Sequence, residues 1–385
     1  MISRPCPICS TPESSLLFEN KMVSIGKFDM SYEVHRCDRC NFHFAGKLPP
    51  ISQYIAYYRE ASKYDVLTKV APLDQIRIAE AVRFINEWIS ERTYALDLGC
   101  GSGAFLASMR DAGWSAVAGL DPAPNAAAKA KELFDLSSVY AGDLRHLDDR
   151  VDIPTADLVC LMAVLEHLPE FRGDLEGLIE KMRPGACLLL EVPAIERFSH
   201  AKGEPFGEFS IEHIQYFSKA SVRNLMNRLG LSIVAEHYQE LPSAGTGSIF
   251  VIARRDSSAS GTSRLSEFSK EPTASFDEYI KTSESLLKAA IDRLPLDSFI
   301  LYGAGSHSAR LIPRLSARIR NNIVAIVDSN INLSGKRFGQ WDVRSPDLLS
   351  TMPDVPIVIS SFRSQSEIRN MLSAKVTNPL ILLYE

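Results

Sequence analysis

Two carboxylates and three glycines bring the densest chemistry of the chain into one short stretch. In Asp97-Leu98-Gly99-Cys100-Gly101-Ser102-Gly103 an acid precedes a glycine-rich turn, and Asp121-Pro122 closes the next apolar run. Glycines let backbone approach a ligand where a side chain would collide, and a carboxylate about 20 residues further on can accept both hydroxyls of a ribose. The acid ahead of the glycines separates two classes of ligand. A pyrophosphate wants helix N-terminal amides facing it and is repelled by a carboxylate there. A ligand carrying an ammonium and a sulfonium is instead oriented by it. The pattern therefore favours S-adenosylmethionine over a dinucleotide.

Two further groups could do chemistry. In Glu212-His213-Ile-Gln-Tyr216-Phe217-Ser218, three titratable or hydrogen-bonding side chains fall within five positions, and histidine has the pKa for proton transfer near neutrality. Ser218 can also cap the helix expected over 219–229, so a helix cap with a satisfied histidine is the competing reading. Near the N-terminus, Cys6-Pro-Ile-Cys9 and Cys37-Asp-Arg-Cys40 form two Cys-x-x-Cys knuckles around a polar insert containing Gly26. Four thiolates can close around one tetrahedral zinc and leave no open position, so the expected metal is structural. Reduced thiols or a redox pair are the alternative. His35 and His43 lie nearby as substitute ligands or, with four cysteines at hand, as packing residues. Cys100, Cys160 and Cys187 lie on or beside apolar strands and read as small buried hydrophobes.

The elements that must position these groups alternate between strand and helix. Ile76, Ala79, Val82, Phe84, Ile85 and Ile89 recur at helical steps over 70–92. Strands are expected at 95–98, 117–120, 156–161 and 187–192, with a short strand and its exit loop over 139–144 and helices between them, followed by strands at 231–235 and 248–253. Loops at the carboxyl ends of parallel strands face the ligand crevice, which puts residues 161–163, Ala163 included, beside the cofactor. Asp143, followed by Leu144, stands at such a strand end, where it is either a ligand contact or a turn residue. Glu166-His167 just beyond could be an acid–base pair or plain structure. Tyr54, Tyr57, Tyr58 and Tyr64 read as helix packing or as a substrate mouth.

A serine- and charge-rich stretch over 256–275 reads as a linker. A second strand–turn–helix–strand pattern follows it, with strands at 299–302, 322–327, 356–360 and 380–383, the turn Gly303-Ala304-Gly305-Ser306-His307-Ser308 and the strand-end acid Asp328. Ser308 stands where a dinucleotide fingerprint wants Gly or Ala, so a Rossmann-like module that contacts substrate or braces the site is preferred to a nicotinamide-dependent reductase. The expected organisation is α/β throughout: a zinc-binding module over 1–60, a Rossmann-like core over 61–255 that holds the glycine turn, the linker 256–275, and a Rossmann-like C-terminal domain over 276–385.

Length and charge bound the rest. With 385 residues, 45% hydrophobic content and a net charge of −5, the chain can bury large cores but lacks the basic tract that nucleic-acid binding needs. The first residues show no charged-then-apolar signal, and no apolar run reaches the roughly 18 residues of a membrane span, so a soluble, cytoplasmic protein is expected.

The stretch from Asp97 to Asp121 resembles motif I of the class I S-adenosylmethionine-dependent methyltransferases. In that family such residues hold the methionine end of the cofactor, the acid at the place of Asp121 holds the ribose, and an acid at the place of Asp143 bonds the adenine amino group. The order of four cysteines, methyltransferase core with Glu212-His213-x-x-Tyr216-Phe217-Ser218, and smaller Rossmann-like domain resembles the sugar C-methyltransferases, which act on nucleotide-linked 4-keto-deoxysugars. The resemblance implies that His213 removes a proton next to a ketone, Glu212 orients the base or the sugar, and Tyr216 bonds the developing enolate. The sequence departs from that family at Ser210, where a Tyr is usual, and at Met162-Ala-Val-Leu-Glu-His, where an Asn-Asn-Val run with Ala-His is usual. O-methylation of a small-molecule hydroxyl and a non-catalytic binding module stay open beside C-methylation, and the oligomeric state is unassigned.

Overall fold

The computed structural model describes residues 2–24, 31–50, 52, 69–145, 147, 150–210, 212–256 and 271–384. Gly26, the four tyrosines at 54, 57, 58 and 64, and residues 257–270 of the expected linker lie outside them.

The N-terminal sheet consists of β1 (Ile2–Ser3), β2 (Ser14–Asn20), β3 (Tyr32–Cys37) and β4 (His43–Leu48), in the order β1-β4-β3-β2. After the helix α1 (Pro72–Trp88), β5 (Tyr94–Leu98), α2 (Ala104–Asp111), β6 (Ala116–Asp121), α3 (Ala126–Phe134) and β7 (Val139–Ala141) alternate. They are followed by β8 (Leu158–Met162), α4 (Phe171–Lys181), β9 (Cys187–Pro193), the short strand β10 (Gln215–Tyr216), α5 (Lys219–Arg228), β11 (Leu231–Leu241) and β12 (Thr246–Arg255).

The central sheet runs β11-β12-β9-β8-β5-β6-β7. Neighbours from β9 to β7 are parallel, and β12 is antiparallel to both β9 and β11. The strand order reverses between β5 and β8, and a ligand crevice opens at the carboxyl ends of strands that flank such a reversal. Both faces are covered. Leu96, Leu98, Val159, Leu161, Leu188 and Leu190 pack with Phe171, Leu175 and Leu178 of α4 on one side, while Ala95, Leu158, Cys160 and Leu189 meet Phe84 and Ile85 of α1 on the other. Each of the leucine, valine, isoleucine and phenylalanine side chains among them contributes about 1.5–3 kcal/mol when fully buried. That rigid slab is what holds the turn after β5 in place.

β10 does not join the central sheet. It pairs antiparallel with β4, Gln215 opposite Phe44 and Tyr216 opposite His43, so the N-terminal sheet takes its fifth strand from the heart of the chain. Phe42 packs against Phe171 and Phe217, which makes the N-terminal sheet continuous with the central core.

The third sheet is built from β13 (Phe299–Tyr302), β14 (Ile323–Val327), β15 (Arg337–Phe338), β16 (Trp341–Arg344), β17 (Ile357–Ile359) and β18 (Leu380–Leu382), in the order β15-β16-β14-β13-β17-β18. Helices α6 (Glu271–Asp292), α7 (Ser306–Leu311), α8 (Ala317–Asn321) and α9 (Gln365–Ser373) accompany it. Helix α6 takes in the last five residues of the expected linker, 271–275. The strands β15 and β16 carry no clear alternation and were not foreseen; Phe338 and Val343 are their buried residues.

Candidate functional site

The glycine turn is fixed by its own backbone. Gly99, Gly101 and Gly103 have φ of 86°, 54° and 81°, a region that residues with a side chain rarely adopt. A Cβ on Gly99 would stand 2.6 Å from Val164 Cγ2, and one on Gly103 would stand 2.8 Å from Leu136 Cδ1. The Gly99 amide donates to the Leu120 carbonyl at 2.7 Å. Asp121 then takes the Gly101 amide on Oδ2 and the Ala123 amide on Oδ1, both at 2.8 Å. Its carboxylate thus locks the turn against the end of β6, and Pro122 beside it is exposed.

Asp97 is 2% exposed, and its Oδ1 has no hydrogen-bond partner among the described residues. Burial, with the nearby Asp121 charge adding to it, pushes its pKa up to about 8. A buried acceptor without a donor is costly unless a ligand supplies one. A cationic amino-acid ligand does so, which makes Asp97, the glycine cradle and Asp121 a fit for S-adenosylmethionine. Asp143 is partly exposed, and its Oδ1 accepts the Arg145 amide at 2.9 Å. Leu144 is 9% exposed and belongs to the core on the α4 side of the sheet.

The loop after β8 links this turn to the Glu212–His213 segment. Ala163 takes φ 53°, unusual for a residue with a Cβ, while its amide donates to the Glu191 carbonyl at 3.0 Å. Strain of this kind costs about 1–3 kcal/mol and persists only where the surroundings impose it. The side chain of Glu191 is wholly buried and ion-paired with Arg77 of α1. Val164 abuts Gly99, the Glu166 carbonyl accepts the Ile214 amide at 2.8 Å, and His167 Nδ1 meets the Glu212 carbonyl at 3.0 Å. The imidazoles of His167 and His213 lie 5.0 Å apart, edge to face.

Ser210 and residues 212–218 form a built turn. Ser210 Oγ accepts the amides of Glu212 and His213 at 3.2 and 3.0 Å. The Tyr216 hydroxyl donates to the His213 carbonyl at 2.9 Å and meets the Tyr32 hydroxyl at 2.8 Å. Tyr216 is 2% exposed, so its hydroxyl lies inside the packing that supports His213, whereas Glu212 and His213 are half-buried. Ser218 and Ser221 cap α5 reciprocally.

The four cysteines converge. Cys6 and Cys40 sulfurs are 3.4 Å apart, those of Cys9 and Cys37 are 3.5 Å apart, and all four side chains are buried. Tetrahedral thiolates on bonds of about 2.3 Å would be roughly 3.8 Å apart, so the cluster fits a zinc after a small expansion. His35 and His43 stand outside it. His35 bonds Ser14 and Glu33, while His43 is buried against Phe276 at 4.4 Å, and that burial brings its pKa down to about 3. The C-terminal turn is filled from within: His307 Nδ1 bonds Ser360 Oγ at 2.9 Å, and Ser308 Oγ donates to the Gly303 carbonyl at 2.6 Å.

Sequence reasoning did not find Tyr32 or the bond between His167 and Glu212. Both depend on contacts between residues far apart in the chain, which local spacing does not encode.

Comparison with known proteins is consistent with this geometry. Residues 74–236 match the family model of a methyltransferase domain. The mitochondrial ubiquinone biosynthesis O-methyltransferase of Schizosaccharomyces pombe is 38% identical over 99 residues, covering 25% of this chain and 36% of that protein. The C-methyltransferase NovU of Streptomyces niveus is 28% identical over 167 residues, covering 43% of this chain and 38% of that protein. The chain therefore spans little more than a third of the length of these curated relatives. Among solved structures, the Burkholderia thailandensis 1,6-didemethyltoxoflavin-N1-methyltransferase aligns at 18% identity and a TM-score of 0.44, over 58% of this chain and 99% of that one. Among the described residues no helix is long and apolar enough to cross a membrane. The central α/β unit, with its glycine turn, strand-end acids and matched residues 74–236, is a class I S-adenosylmethionine-dependent methyltransferase domain.

Proposed function

We propose that this chain transfers a methyl group from S-adenosylmethionine to carbon in a small ketone, a 4-keto-deoxysugar carried on a nucleotide, with His213 as the base. The observation that carries this reading is the half-buried His213 on a turn hydrogen-bonded to the loop that touches the cofactor's glycine turn. The likeness to a C-methyltransferase over 43% of the chain supports it. When bound, the cofactor supplies an electrophilic methyl on sulfonium sulfur. Asp97 would orient its cationic methionine end, Asp121 its ribose and Asp143 its adenine, with Gly99, Gly101 and Gly103 allowing close backbone approach and Ala163 shaping the wall.

His213 would take the proton from the carbon beside the ketone, and the carbanion-like carbon would then form the new carbon–carbon bond as the sulfur–methyl bond breaks. The ketone makes that proton acidic enough for a positioned base, and holding both reactants in one crevice lowers the entropic barrier. Glu212 would orient the sugar, and Tyr216 would hold the His213 carbonyl, and so the base, in register. The Cys6, Cys9, Cys37 and Cys40 cluster would bind one structural zinc that fixes the sheet to which β10 belongs.

One experiment tests the core of this. Incubating the protein with S-adenosylmethionine and candidate nucleotide 4-ketosugars should give a mass gain of one methyl, with solvent deuterium entering the adjacent carbon. His213→Ala should abolish turnover and leave cofactor affinity within about twofold, and Asp121→Ala should abolish cofactor binding. Turnover surviving in His213→Ala would remove the base assignment.

The O-methyltransferase likeness over 25% of the chain favours a second reading, methylation of a hydroxyl on a small molecule. A methyl gain without carbon-bound deuterium would select it.

A further inference from the structure

We propose that Glu166, His167 and His213 form a second metal site, separate from the four-cysteine cluster, that takes a divalent transition ion of the zinc or cobalt type. Each of the three offers one ligand atom, and these atoms all lie within 4.8 Å of one another. The arrangement of His167 is the decisive detail. Its Nδ1 stands 3.0 Å from the Glu212 carbonyl, and a carbonyl only accepts, so Nδ1 carries the hydrogen and Nε2 presents its lone pair. A metal-binding histidine is usually held in this way, its second ring nitrogen donating to a carbonyl that fixes both tautomer and ring plane.

Nε2 of His167 faces Glu166 Oε1 at 3.8 Å. Ligands on bonds of about 2.0–2.2 Å to one tetrahedral ion stand roughly 3.3–3.6 Å apart, so this pair needs to close by only a few tenths of an ångström. His213 supplies the third ligand from the facing turn. Its ring is half-buried, its centroid lies 5.0 Å from that of His167, and its ligand nitrogen is within 4.8 Å of the other two ligand atoms. The backbone fixes both banks of the site independently of any ion, since the Ile214 amide is bonded to the Glu166 carbonyl at 2.8 Å. Glu166 itself is 1% exposed.

Two imidazoles and one carboxylate make the donor set of an open zinc site, with a fourth position left for water or a ligand. Imidazole selects zinc, cobalt, nickel or copper over magnesium and calcium, which prefer all-oxygen shells. Because coordination occupies the His213 lone pair, an ion here and proton removal by His213 exclude one another. That consequence rests on the proposed function, whereas the site itself does not.

The test is a titration of the full-length, metal-stripped protein with cobalt chloride alone, followed by absorption spectroscopy. Two equivalents are expected to bind. The first should show the intense thiolate-to-metal bands of the cysteine cluster, and the second only weak ligand-field bands. Glu166→Gln and His167→Ala should each weaken the second equivalent by at least about 100-fold. The thiolate bands of the first equivalent report that each variant is folded. A single equivalent in the wild-type protein, or a second equivalent unchanged in both variants, would overturn the site. In enzyme carrying one equivalent of metal, on the four cysteines alone, loss of turnover in His213→Ala tests the base assignment on its own, so the two ideas fail separately.

Discussion

At Asp97 a carboxyl with 2% exposure lies near a second acid and keeps its proton up to about pH 8. In the unfolded chain the same group ionises near the ordinary aspartate value of 3.8. Between those two values the folded protein holds one more proton than the unfolded one. The stability of the cofactor-free protein therefore falls as pH rises through that window. A cationic ligand reverses the preference, because it favours the ionised carboxylate. Cofactor binding should thus release a proton below about pH 8 and strengthen as pH approaches it. Asp97→Asn keeps the shape and removes the titration. The variant should melt several degrees higher than wild type at pH 8 without cofactor, and bind S-adenosylmethionine at least tenfold more weakly; calorimetry and thermal melts read both. A melting point unchanged at pH 8 would show that the carboxyl is not strained there. The identity and spacing of this acid were legible in the sequence because the turn chemistry is local. Its burial was not, since that depends on how β5 is sandwiched between its neighbours.

The strand β10 and helix α5 carry the segment 215–228 between them, and each was legible to a different degree. The cap at Ser218 was readable, because a serine ahead of an apolar helical run is a local signal. In the structure Ser218 Oγ accepts the Ser221 amide at 3.1 Å, and Ser221 Oγ accepts the Ser218 amide at 2.8 Å. Ser218→Ala removes half of this reciprocal pair inside a buried setting and should cost about 1 kcal/mol of stability, read by chemical denaturation. Restoring the cap with Ser218→Thr should recover most of it. A loss below about 0.3 kcal/mol in the alanine variant would mean the helix start is held by packing alone. The pairing of β10 with β4 was not readable: two residues carry no periodicity, and the partner strand lies some 170 positions away. The register nevertheless matters to the site. Ala45 donates its amide to the Ile214 carbonyl at 2.8 Å, so the strand that begins three residues after Cys40 fixes the backbone next to His213.

Across the whole molecule, residues 204–210 are gripped by both the N-terminal sheet and the C-terminal domain. From the N-terminal sheet, Asn20 Nδ2 donates to the Phe209 carbonyl at 3.1 Å, and Tyr32 donates to the Ser210 carbonyl at 3.0 Å. From the C-terminal side, Arg310 donates one nitrogen to the same Phe209 carbonyl at 2.7 Å and another to Glu204 Oε1 at 2.8 Å. Helix α6 adds Tyr279 and Ser283, whose hydroxyls accept the Glu208 and Phe206 amides at 2.9 and 3.1 Å. Phe209 fills the middle, with its ring 5.2–5.4 Å from those of Tyr216, Phe276 and Tyr279. None of these bonds is local, which explains why the third domain reads from sequence only as a brace or a contact. Arg310 is 1% exposed, and its planar fork serves two acceptors that a single ammonium cannot reach together. Arg310→Lys should therefore behave much like Arg310→Met. Removing one partner of a buried charge pair costs about 3–5 kcal/mol, and the partial exposure of Glu204 places the expected loss at the lower end. Because Arg310 has no bond to the glycine turn, both variants should lower kcat at least tenfold with S-adenosylmethionine affinity retained. A variant that loses cofactor binding and turnover in equal measure would show instead that Arg310 supports the fold as a whole and not the segment that carries His213.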